Sequence, residues 1–165
     1  KFNATCVNTV EVTFRDGTVA KTNMDVTAVG LGIGSTYGNG TEKIIDGVQW
    51  SFDQCKSQNG YIQMNKRDAP KPNSSIWNTT ALPKAIKDVV VTYNSKTLEK
   101  NRKGLVVTTG TTMVTEKGSA TLSPTENALV YTYTSANKAD TFVQFAHNGS
   151  SGALYIDSIV INFVD

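Results

Sequence analysis

The chain has 165 residues, a formal net charge of +2 and only 18% charged residues. That length fits one domain over 1–165, and the small charge excludes the basic excess usual in a nucleic-acid binder. Thr, Asn, Ser and Gly exceed a third of the chain, with 22 Thr and 14 Asn, which excludes helical bundles and favours strands and turns. Along the chain, Val10, Val12 and Phe14 alternate with polar residues and run into Asp16-Gly17. This pattern predicts a strand and an Asp-Gly hairpin, with a partner strand starting near Val19. Residues 28–41 hold five glycines and read either as a strand closely approached by another backbone or as a mobile loop. Strands are predicted at 48–52 and 61–64, with Asn59-Gly60 turning between them. The proline-bearing stretch 67–75 reads as an exposed loop before Ile76 and Trp77.

The strongest strand signal is 86–93, where Val89, Val91 and Tyr93 share one face and Val90 and Thr92 the other. A basic connection follows at 94–104, with Lys96, Lys100, Arg102, Lys103 and one acid, Glu99. It reads as a solvated loop, or as a contact for an acidic partner. Further strands are predicted at 105–109, 111–115, 129–134, 141–146 and 154–163. No long helix and no repeat interrupts them, so parallel βαβ architecture is excluded. The expectation is an all-β, antiparallel β-sandwich of jelly-roll or Greek-key order. Residues 1–9 read as an N-terminal arm able to add a strand to a neighbouring chain.

Catalytic motifs are missing. The acids are scattered, and neither a G-x-S-x-G elbow, an H-E-x-x-H pair nor a P-loop occurs. His147 is the sole histidine. The sequence therefore does not read as an enzyme. No apolar run is long enough to span a membrane. The chain begins at Lys1 and reads as processed or as a piece of a longer protein. Cys6 and Cys55 are either a disulfide pair or two separate thiols. Asn-x-Ser/Thr triplets stand at Asn3, Asn39, Asn73, Asn78 and Asn148, and several such triplets arise by chance in this composition.

Three stretches, NGYIQMNK (59–66), SSIWNTTALPKAIKDVVVTYNSK (74–96) and GSSGALYIDSIVINF (149–163), carry a resemblance. Together they resemble galactose-binding-like jelly-roll modules, as found in secreted and surface proteins of gut bacteria and in the virions of their phages. The likeness covers roughly the last two-thirds of the chain and does not extend to the first 47 residues. It implies a non-catalytic binding or display module located outside the cell, on a cell surface or on a virion. The implied partners are a cell-surface or dietary glycan, or other virion or surface protein chains. The alternative function is thus a structural virion component, such as a capsid decoration or fibre protein.

A sugar site needs an aromatic platform with amides and cations around it. Trp77 is the first candidate, with Asn78, Gln63, Lys66 and Arg67 as polar partners. Tyr37 in the glycine-rich stretch is the second. Core packing is the competing reading of Trp77, and Trp50 reads as core. Galactose-binding-like modules often hold a structural calcium, and the resemblance places Asp157 at that kind of position. The competing reading of Asp157 is a sheet-edge carboxylate.

Overall fold

Alternation becomes strand wherever its apolar half has something to cover. Val89, Val91 and Tyr93 are buried on one side of their strand, while Val90 and Thr92 are only partly covered. The structure, a computed structural model, describes residues 21–114, 128–150 and 152–165. The expected strand at 10–14, its hairpin, the arm 1–9 and Cys6 lie outside these residues.

Ten strands occur in the described residues. They are β1 (Asn23–Val26), β2 (Gly38–Ile45), β3 (Val48–Gln58), β4 (Tyr61–Met64), β5 (Ser75–Asn78), β6 (Ile86–Tyr93), β7 (Leu105–Gly110), β8 (Val130–Thr134), β9 (Phe142–His147) and β10 (Leu154–Phe163). All pairings are antiparallel. Hydrogen bonding runs along one path, β7-β9-β5-β3-β4-β10-β6-β8, with β2 added to β3 and β1 to β10.

The antiparallel all-β expectation holds, but the strands do not separate into two independent sheets. β3 belongs to both halves: Trp50 to Asp53 pair with β5, and Lys56 to Gln58 pair with β4. The ends of the path then approach each other, and the Tyr133 hydroxyl on β8 donates to the Leu105 carbonyl on β7 at 3.3 Å. The result is a nearly closed, barrel-like sheet around a single core cluster that includes Trp50, Phe145, Met64 and Ile159.

Bulges explain where period-two alternation slips. Phe52 and Cys55 both face inward although three residues apart. An extra residue on β3 accounts for this, with Gln54 at φ 50°. A register shift on β10 likewise lets both Ile156 and Ile159 enter the core. Asn59-Gly60 makes the expected turn, with φ of 52° and 87°. A second two-residue hairpin of the same kind sits at Asp46-Gly47, φ 50° and 81°.

Three expectations are corrected. The glycine-rich stretch is neither one strand nor one loop: 28–32 forms turns, and strand β2 starts at Gly38. Residues 111–114 are not strand. The basic connection is not a plain solvated loop, because its second half is a 3-10 helix (Glu99–Gly104) with Asn101 and Gly104 buried. Among the described residues no helix is long and apolar enough to cross a membrane.

Candidate functional site

Two surfaces gather the polar and aromatic side chains. The first lies on the outer face of β3, β5 and β9. Ile76 and Asn78 of β5 point inward, so Ser75 and Trp77 point out. In register, Trp77 stands between Ser51 on β3 and Gln144 on β9. It is half-buried, outside the core cluster, and lines a cavity of about 150 Å³ with Asp53, Pro72, Asn73 and Gln144. Gln144 is only 3% exposed, and its Oε1 has no hydrogen-bond partner. A buried carbonyl oxygen without a partner forgoes about 1–3 kcal/mol. Gln144 and Asp53 both border the space beside the indole. Such a cavity suits a ligand that presents hydroxyl donors next to an apolar face.

The second surface lies on the outer face of β3, β4 and β10. Ile62 and Met64 belong to the core, so Gln63 takes the outer side. Lys56 and Tyr155 are its cross-strand neighbours. The Gln63 amide donates to the Tyr37 hydroxyl at 3.0 Å. The Arg67 guanidinium lies 4.0 Å from the centre of the Tyr37 ring, and Lys56 Nζ lies 4.9 Å from it. Two cations thus share one aromatic ring. Burial pushes the Tyr37 hydroxyl pKa up, while hydrogen bonds from Asn65 and Gln63 and the charge of Arg67 pull it back. Tyr155 continues the surface, meeting Tyr61 edge to face at 5.3 Å, and Lys96 Nζ lies 5.1 Å from the Tyr61 ring centre. Beyond Tyr155 and Lys96 opens a cavity of about 720 Å³, bordered by Lys100, Lys103, Asn101, Asn148 and Ser150.

The loop 65–74 separates the two surfaces. The Arg67 N–H donates to Asn73 Oδ1 at 3.1 Å, so one residue faces Tyr37 while its partner borders the Trp77 cavity.

The structure therefore brings Tyr37, Gln63 and Arg67 together and sets Trp77 apart from them. Lys66 is exposed on the same loop. Asn78 is corrected: it is fully buried, and its carboxamide is committed to the backbone of Thr80, Thr141 and Val143. It is no sugar donor, and in the folded chain its Asn-x-Thr triplet is closed to modification. The 94–104 connection, read as solvent-facing, is exposed at Lys96, Lys100 and Lys103 and also forms a cavity wall.

Cys55 is a buried free thiol that donates to the carbonyls of Asp53 and Ser75. Its expected partner Cys6 lies outside the described residues. Asp157 is exposed and accepts a bond from the Asn94 amide at 2.9 Å. Calcium wants six to eight oxygens. Among the described residues no group of three or more His, Cys, Asp or Glu side chains is placed to hold a metal. His147 is fully buried between backbone groups, with Nδ1 accepting from the Gly149 N–H and Nε2 2.9 Å from the Gly152 carbonyl oxygen. Its ring links Gly149 to Gly152.

Gln144, Asp53, Lys56, Tyr61 and Tyr155 were not singled out by the sequence. Each sits at an outward position of an alternating strand, but only the cross-strand register shows which of them meet. Compared with known proteins, the chain matches no family model, no curated protein and no solved structure.

Proposed function

We propose that this chain is a non-catalytic carbohydrate-binding or adhesion domain, a galactose-binding-like jelly roll displayed outside the cell or on a virion. The Trp77 cavity carries the reading. The half-buried indole of Trp77 shares a space of about 150 Å³ with Asp53 and Gln144. That volume suits one sugar ring or chain end, with ring C–H groups on the indole and hydroxyls on Asp53 and Gln144. The non-catalytic part is supported by His147, whose two ring nitrogens are both engaged by backbone groups. The weakly charged, Thr- and Asn-rich composition supports an extracellular or virion surface. A glycan array followed by titration calorimetry tests the reading, comparing the native chain with Trp77→Ala. A bound glycan whose affinity falls about tenfold or more in the variant supports it. No bound glycan, or equal binding by both proteins, refutes it.

A second reading is a structural virion component. It is favoured by Leu129 and Val130, 41% and 54% exposed at the start of β8, which among the described residues pairs only with β6. Native mass spectrometry separates the two, since a strictly monomeric chain that recruits no partner argues against this one.

A further inference from the structure

The 720 Å³ cavity beyond Tyr155 has a one-sided charge. Lys96, Lys100 and Lys103 border it, and among the described residues no carboxylate does. The surface leading into it adds Lys56 and Arg67 on the Tyr37 ring. Among the described residues no ion pair engages any of these five cations. The Arg67 Nε is buried without a hydrogen-bond partner. The whole chain carries a net charge of only +2, so this concentration of cations is local rather than a general property of the surface. Like charges gathered without counter-charges repel, and a bound anion relieves that repulsion.

The remaining lining narrows the chemistry. Among the described residues Tyr155 is the single aromatic bordering the cavity, while Asn101, Asn148 and Ser150 supply amides and a hydroxyl. Tyr61 is buried against Tyr155 and has no free face. A single-stranded nucleic acid needs successive open aromatic faces, which this surface lacks. A chain bearing hydroxyls and regularly spaced negative groups matches cations interleaved with amides.

We infer that the track from Tyr37 and Arg67 through Tyr155 to the lysine-lined cavity is a binding site for acidic polysaccharide, a glycan carrying sulfate or carboxylate groups. The inference rests on the carbohydrate-binding reading and concerns a surface separate from Trp77. The five cations supply the attraction, and the amides and hydroxyls contact the sugars.

Dextran sulfate and uncharged dextran share a backbone and differ in their sulfates, so they are the probes, with a single-stranded oligonucleotide of matched charge as the third. Affinity electrophoresis and calorimetry in 0.15 M salt, about one Debye length of 8 Å, give the affinities. The native chain is expected to bind dextran sulfate and to leave dextran free. Arg67→Gln with Lys96→Gln is expected to weaken binding about tenfold or more, with the circular dichroism spectrum unchanged. Lys87→Gln with Lys138→Gln removes the same charge from exposed positions elsewhere and is expected to change binding less than about twofold. No dextran sulfate binding, an equal loss in both double variants, or equally tight oligonucleotide binding overturns the inference. Trp77→Ala separates it from the Proposed function. That variant keeps dextran sulfate binding if the track is a site of its own, whatever becomes of neutral glycans, and losing it overturns the claim of a separate site.

Discussion

The carboxamide oxygen of Asn78 accepts the backbone N–H of Val143 at 2.7 Å, joining β5 to the start of β9 from inside the sheet. The amide of the same side chain donates to the Thr80 and Thr141 carbonyls at 2.8 and 3.0 Å. A polar residue at an inward position is thereby fully satisfied. Asn78→Ala strands the buried Val143 N–H, while the Thr141 carbonyl keeps the Leu82 N–H, and it is expected to cost about 1–3 kcal/mol. Asn78→Asp keeps the acceptor and loses both donors, so it too is destabilising. Urea denaturation of both variants measures this; a loss below about 0.5 kcal/mol would mean water replaces the network without penalty.

Gly40 gives a sharper steric prediction. A Cβ there would lie 2.3 and 2.7 Å from two carbon atoms of the Phe52 ring. Phe52 is buried in the core, so its ring has little room to retreat. Gly40→Ala is expected to destabilise by about 1–3 kcal/mol, the range for overpacking. Phe52→Leu in the same chain should recover part of that loss. Strictly additive penalties in the double-mutant cycle would argue against the contact.

The alkaline limb of stability follows from burial. The Cys55 thiol is pushed above its ordinary 9.0, mainly because its thiolate would lose water. The same cause pushes the Tyr93 hydroxyl from 10.0 up to about 12. Above pH 9 the unfolded thiol gives up its proton while the folded one keeps it. The folded state then binds more protons, so stability falls as pH rises. The slope is about 1.4 kcal/mol per pH unit for each such group. Thermal melts from pH 7 to 11 are expected to be flat to about pH 9 and to descend above it, more steeply once tyrosine joins near 10. Cys55→Ala lowers the plateau and removes the first part of the descent. An unchanged slope between pH 9 and 10 in that variant refutes the assignment to Cys55.

Gln144 separates binding from folding. Its Oε1 makes no hydrogen bond within the protein, so Gln144→Met removes an unsatisfied acceptor and keeps most of the volume. Stability is expected to stay level or rise by up to about 1 kcal/mol. Affinity for whatever glycan depends on Trp77 is expected to fall about tenfold. A large loss of stability with unchanged affinity would assign the residue to packing instead.

Much of the fold is legible in the chain and less of the surface is. Period-two runs such as 86–93 and 154–163 mark β6 and β10 because their apolar halves cover one core. β2 escapes notice because only Ile45 of its eight residues is buried, and alternation without burial leaves no hydropathy signal. Tyr37, Gln63 and Arg67 are recognisable as residue types, but their meeting depends on chain segments 26 positions apart. Asn78 misleads for the opposite reason. A polar residue beside a tryptophan looks like a ligand donor until the strand's facing turns it inward. The bulges at Gln54 and at Ile156 to Ser158 shift register by one residue, a change that composition does not encode.

β3 carries Asp53 at the Trp77 cavity and Lys56 at the Tyr37 ring. Two residues separate them, one of them the bulged Gln54, so their spacing is at most the roughly 10 Å of three regular strand steps. Both lie on one hydrogen-bonded strand, so that spacing does not flex with loop motion. Under the proposed carbohydrate reading, the strand acts as a ruler between the Trp77 cavity and the cationic track. A polymer held at one surface brings its next segment to the other at high effective concentration, and the gain in avidity needs no new contact.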